Sequence, residues 1–155
     1  MGLLIRILSP GKIREAYLRE AVEQARLALQ RQLQASGGRV ELVEVEDSPD
    51  NWPVERALAL EAERLRGKLK SGDFVVALDL DGRWPKLNSQ GSLQPELARW
   101  QAQAQQETIV FLIGGSNGLA PDLKQQAQVR LCLSRLTFTH QMARLILLDL
   151  LGKAR

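Results

Sequence analysis

Apolar and polar residues alternate in blocks along this chain, and the blocks switch between strand-like and helix-like lengths. Leu3–Leu8 is a short apolar run interrupted by Arg6 and closed by Ser9-Pro10-Gly11, which predicts a first strand. From about Glu15 to Ala35 the apolar positions Tyr17, Leu18, Val22, Ala25, Leu27, Ala28 and Leu29 recur at helical spacing, and Ser36-Gly37-Gly38 ends that helix. Val40–Val45 predicts a second strand with glutamates interleaved. Asp47–Pro53 reads as a loop whose proline suits the first turn of a helix over about Val54–Leu69. Phe74–Leu80 is a more continuous apolar run, as a central strand requires, and Asp81-Gly82 predicts a turn after it. Ser92 is the expected cap of a helix over about Glu96–Gln105.

Thr108–Ile113 predicts a fourth strand that breaks into Gly114-Gly115-Ser116-Asn117-Gly118. A short helix at about Pro121–Ala127 and a strand at about Val129–Leu133 follow. The last helix, His140–Leu151, is strongly apolar, with Thr139 as its cap and Gly152 as its stop. Strands alternate with helices throughout. The expected fold class is therefore α/β, a mainly parallel sheet with helices on both faces, in one domain spanning residues 1–155.

Composition agrees with a soluble globular protein: 45% hydrophobic and 25% charged residues in a chain of 155. The net charge of +3 permits contact with nucleic acid without demanding it. No apolar run approaches the roughly 20 residues that span a bilayer, and the first residues do not form a signal peptide. One cysteine, Cys132, excludes an internal disulfide and fits a buried thiol in a reducing cytoplasm, and no metal-ligand pattern occurs. Trp52, Trp84 and Trp100 are too dispersed to predict a base-stacking platform.

Candidate chemistry concentrates in two late stretches. Three glycines in Gly114–Gly118 let the backbone approach a ligand closely, at the strand end where open α/β sheets bind ligands. The turn after the first strand, Ser9-Pro10-Gly11-Lys12, lacks the glycine count of a dinucleotide fingerprint, and no phosphate-binding P-loop motif occurs. On spacing alone a ligand cradle and a plain tight turn both stand. The second stretch is Leu131–Arg144, which holds the chain's single histidine.

Together, Ile113-Gly-Gly-Ser-Asn-Gly-Leu119 and Leu133-Ser-Arg-Leu-Thr-Phe-Thr-His-Gln-Met-Ala-Arg144 resemble the ribosomal RNA large-subunit methyltransferase H family of the SPOUT superfamily. Gly11-Lys12, the strand Val40–Val45 and Leu78-Asp79 extend that resemblance in order along nearly the whole chain. It implies a trefoil knot near the C-terminus, a homodimer, and methyl transfer from S-adenosyl-L-methionine to N3 of a pseudouridine in 23S rRNA of the ribosome. By the same resemblance Leu78 lines the adenosine pocket and Gly114 sits against the cofactor. Leu133, Ser134, Arg135, Leu136, Thr137 and Phe138 wrap it with backbone groups and apolar side chains. Such walls suit a neutral adenine and a bent methionine better than charged phosphate clamps do.

The sequence departs from the family pattern in two places. Family members continue the last helix to a Tyr-Arg pair and a closing Tyr-His, whereas this sequence runs out at Leu151-Gly-Lys-Ala-Arg155. A proline commonly precedes the histidine of the turn that reads Thr137-Phe-Thr-His140 here. Methylating an imide nitrogen requires removing its proton, normally with a general base. Two readings follow: catalysis through His140, cofactor positioning or the partner subunit, or a silent homologue that binds cofactor or RNA without turnover. His140 is either a structural helix-start residue or the base. Arg144, the second catalytic candidate, meets RNA phosphate or the partner chain, or makes a solvated or interfacial salt bridge. An unrelated flavodoxin-like domain is a third reading of the fold pattern.

Overall fold

β1 (Leu4–Pro10), β2 (Arg39–Val45), β3 (Phe74–Arg83), β4 (Thr108–Leu112) and β5 (Val129–Leu131) form one sheet in the order β2-β1-β4-β3-β5, every neighbouring pair parallel. This is seen in a computed structural model that describes residues 2–104, 107–134 and 139–152. The helices are α1 (Ala16–Gln34), α2 (Val54–Arg66), α3 (Gln94–Gln103), α4 (Pro121–Gln126) and α5 (His140–Gly152).

Strand alternation divides the core in two. Ile5, Ile7, Phe74, Val76, Ile109 and Phe111 face one way and meet α1, α3 and α5 through Leu18, Val22, Leu29, Trp100, Leu147 and Leu151. Leu8, Val75, Ala77, Val110 and Leu112 face the other way and meet α2 and α4 through Ala62, Leu65 and Leu123. Residues of β4 from Ile109 to Leu112 are wholly buried, as a strand covered on both faces must be. Trp100 lies between Phe74, stacked at 6.2 Å, and Phe111, edge-on at 6.0 Å.

The expected elements are all present, with shifted ends. β3 does not turn at Asp81-Gly82 but runs on to Arg83, because a register shift between Leu78 and Arg83 lets both residues face Leu131. The backbone of Gly82 passes so close to Arg130 that a Cβ there would lie 2.7 Å from the Arg130 carbonyl carbon. β5 ends at Leu131, which leaves Leu133 in the loop beyond it. α3 begins at Gln94, and the Ser92 hydroxyl still accepts from the Gln94 N–H at 3.1 Å. α5 starts as expected, the Met142 N–H donating to Thr139 Oγ1 at 3.2 Å, but it retains Gly152 instead of stopping before it. Cys132 is buried, its thiol donating to the Ser134 carbonyl at 3.3 Å. No helix among the described residues is long and apolar enough to cross a membrane.

Candidate functional site

The carboxyl ends of β3, β4 and β5 and the start of α5 surround a cavity of about 890 Å³. Its floor is the glycine bend after β4. The Gly118 N–H donates to the Gly115 carbonyl at 3.0 Å, and Gly118 takes a φ of 80°, which a side chain would strain. Gly114 packs on the returning strand of the bend: a Cβ on it would lie 2.3 Å from the Gly118 carbonyl carbon. The bend is thus folded by backbone contact that only glycine at position 114 permits.

Leu78, Gly114, Leu133 and Ser134, singled out from sequence for cofactor contact, all border this cavity, and so does His140. Leu133, Ser134 and Thr139, ahead of the last helix, thus border the same cavity as the glycine bend. Arg135, Leu136, Thr137 and Phe138 lie outside the described residues. Sequence reasoning missed the contribution of α1's entry, where Glu15, Tyr17 and Leu18 close one side, and it did not place Asp79 or Met142 at a ligand. The only available signal for α1 was its place directly after the first strand's turn. Asp79 has a side chain only 8% exposed, accepts from the Asp81 N–H at 3.2 Å and lies 3.5 Å from Lys124.

His140 stands at the N-terminus of α5. Its neighbour Gln141 accepts from the Arg14 N–H at 3.1 Å, which ties the helix start to the β1–α1 loop. Burial pushes the imidazole below the usual histidine range and the charge of Arg144 pushes the same way, while Glu61 and Asp47 act in the opposite sense. The side chain is therefore held neutral near pH 7, the form that accepts a proton.

Arg144 does not border the cavity. It is 2% exposed and spans three acceptors: Glu44 Oε2 at 2.7 Å, the Pro10 carbonyl at 3.0 Å and the Gly11 carbonyl at 2.9 Å. Of the alternatives open from sequence, the geometry matches the ion pair, and it corrects the picture of a solvated side chain. The guanidinium clamps the end of β1 to α5 within one chain. Burial lowers its pKa, Glu44 opposes that, and the group stays charged.

The arrangement offers a half-enclosed, largely apolar chamber with backbone groups at its floor and one neutral imidazole on its wall, the kind of site that takes a mostly uncharged small molecule. The family described as "Predicted SPOUT methyltransferase" matches residues 3–153. The ribosomal RNA large subunit methyltransferase H of Ruminiclostridium cellulolyticum is 36% identical over 155 residues, covering 97% of this chain and 92% of its own. The protein of the same name from Desulforamulus reducens is 36% identical over 150 residues, covering 94% and 88%. Among solved structures, the SpoU methyltransferase AviRb from Streptomyces viridochromogenes in complex with AdoMet aligns at a TM-score of 0.46 and 14% identity, over 96% of this chain and 57% of that one. The family match and the identity along nearly the full length place this chain in the SPOUT methyltransferase family, among proteins akin to ribosomal RNA large subunit methyltransferase H.

Proposed function

We propose that the chain is an S-adenosylmethionine-dependent methyltransferase of large-subunit ribosomal RNA, and that its target is N3 of a pseudouridine in 23S rRNA. The observation that carries this reading is the convergence of Leu78, Gly114, Leu133 and Ser134 on one cavity large enough for the cofactor. The residues suit that ligand: Leu78 and Leu133 offer apolar walls to an adenine, the glycine bend offers close backbone, and no cationic phosphate clamp is needed. When bound, the cofactor supplies a methyl group activated by a sulfonium. The chain's own share is to hold that group, exclude water and remove the imide proton of the target base. His140 is the base in this reading, since it borders the cavity and is neutral near pH 7.

A homodimer and a trefoil knot belong to the same proposal. Tyr17 and Leu80 are 69% and 60% exposed on the cavity rim, a placement that suits cover by a second copy. What supports the knot is that β5 lies at one edge of the sheet while α5, which comes after it in sequence, packs on α1.

The base assignment has a direct test. With His140 as base, methyl transfer in single turnover is lost as pH falls through a midpoint below 6.5, because protonation removes the acceptor. His140→Gln lowers that rate by about 10²–10⁴-fold with cofactor affinity retained. A variant with the rate of the unmodified chain at every pH contradicts the role.

A further inference from the structure

Behind the glycine bend, on the inner face of α2, lies a carboxylate that cofactor contact does not account for. Glu61 is 6% exposed, among Ala57, Ala62 and Leu65. Its Oε2 is well held, accepting from the Ser48 N–H at 3.1 Å and the Ser48 hydroxyl at 2.7 Å. Its Oε1 is buried with no hydrogen-bond partner among the described residues, and it sits against Gly115, 3.0 Å from where a Cβ would stand. Leaving a buried carboxylate oxygen unmatched is costly, so a group that matches it in the working state is expected.

The surroundings indicate which group. Ser48 follows Asp47, whose carboxylate lies beside Gly11, 3.1 Å from a Cβ placed there. The Gly11 carbonyl accepts from Arg144, one helical turn beyond His140. His140 and Gly115 border the same cavity. Around the ends of β1, β2 and β4 the imidazole of His140, the carboxylates of Glu61, Asp47 and Glu44 and the guanidinium groups of Arg144 and Arg14 thus form a single electrostatic neighbourhood.

We infer that Glu61 is a positioning residue for His140: its unmatched carboxylate oxygen, fixed behind the glycine bend by Ser48, stabilises the imidazolium that forms when His140 takes the proton of the target base. This rests on the reading of His140 as the base. In that step the imide N–H bond breaks and an imidazole N–H bond forms. The base keeps the lone pair as an anion, the imidazole becomes a cation, and the proton is later released to water. Arg144 on α5 and Arg14 before α1 oppose the cation, and Glu61 on α2 and Asp47 after β2 favour it. Arg144 is ion-paired with Glu44, whose side chain is exposed, and Asp47 is exposed too, which leaves Glu61 as the buried counter-charge. A purely structural role in holding Ser48 needs an acceptor but no charge, so glutamine separates the two.

The single histidine makes the test direct, because one imidazole signal reports His140 by NMR in the intact chain without cofactor or RNA. Glu61→Gln is expected to lower the His140 midpoint by about half a pH unit or more, and Asp47→Asn, at an exposed site, by less. An unmoved midpoint in a folded Glu61→Gln protein overturns the inference. If that variant does not fold, the unmodified protein decides: the Glu61 carboxyl carbon signal shows an inflection at the His140 midpoint that vanishes in His140→Gln. Its absence overturns the inference equally. Coupling by NMR together with full methyl transfer by His140→Gln refutes the base reading, and with it the catalytic purpose assigned to Glu61.

Discussion

Gly114→Ala is expected to weaken S-adenosylmethionine binding by at least about 100-fold, equivalent to roughly 2.7 kcal/mol. The added methyl does not merely narrow a pocket. It would stand 2.3 Å from the Gly118 carbonyl carbon and 2.8 Å from its Cα, and both are backbone atoms that cannot rotate aside. The bend must open, and the cavity floor moves with it. A larger residue such as arginine adds bulk to a bend already broken, so most of the loss is expected from alanine. Titration calorimetry on the two proteins measures the difference. Gly91→Ala is a useful control for glycine replacement as such, because a Cβ there meets nothing within 4 Å, although its φ of 75° adds some strain. Equal affinity in Gly114→Ala and the unmodified chain would mean that the bend is no part of the binding site.

The second large effect is on stability. Arg144→Met is expected to cost about 3–5 kcal/mol, because it strands two buried carbonyls and the partner carboxylate of Glu44. For a domain of this size that lowers the melting temperature by roughly 10 °C. Arg144→Lys should recover only part of the loss, since one ammonium cannot match three acceptors spread over a planar fork. Differential scanning calorimetry checks both. A melting temperature unchanged in Arg144→Met would show that the clamp between β1 and α5 contributes nothing, and Arg144 would return as a candidate for contact with RNA.

The fold was legible because the hydrophobic periods of strand and helix are clean. Ile5 and Ile7 alternate with Arg6 on β1, and Leu18, Val22 and Leu29 recur on one side of α1. The carboxyl ends of β3, β4 and β5 then bring Leu78, the glycines and Leu133 together by topology alone. The charged residues were harder to place. Arg144 and Glu61 look like ordinary surface charges by residue type, yet each falls in phase with the buried stripe of its helix. Arg144 precedes Leu148 and Leu151 by four and seven positions, and Glu61 sits four from both Ala57 and Leu65. That phase was the available signal, and its meaning depends on partners contributed from distant strands and loops. The extension of β3 to Arg83 was hidden for another reason. A register shift that lets two residues face Leu131 leaves no mark in local periodicity.

Transfer of a tritiated methyl group from S-adenosylmethionine to ribosomes that lack the modification bears on the central claim most directly. The account predicts label in 23S rRNA at a position where pseudouridine gains its methyl on N3, and no label above background with Gly114→Ala. Unlabelled rRNA with the folded, unmodified protein, at cofactor concentrations that saturate binding, would contradict it.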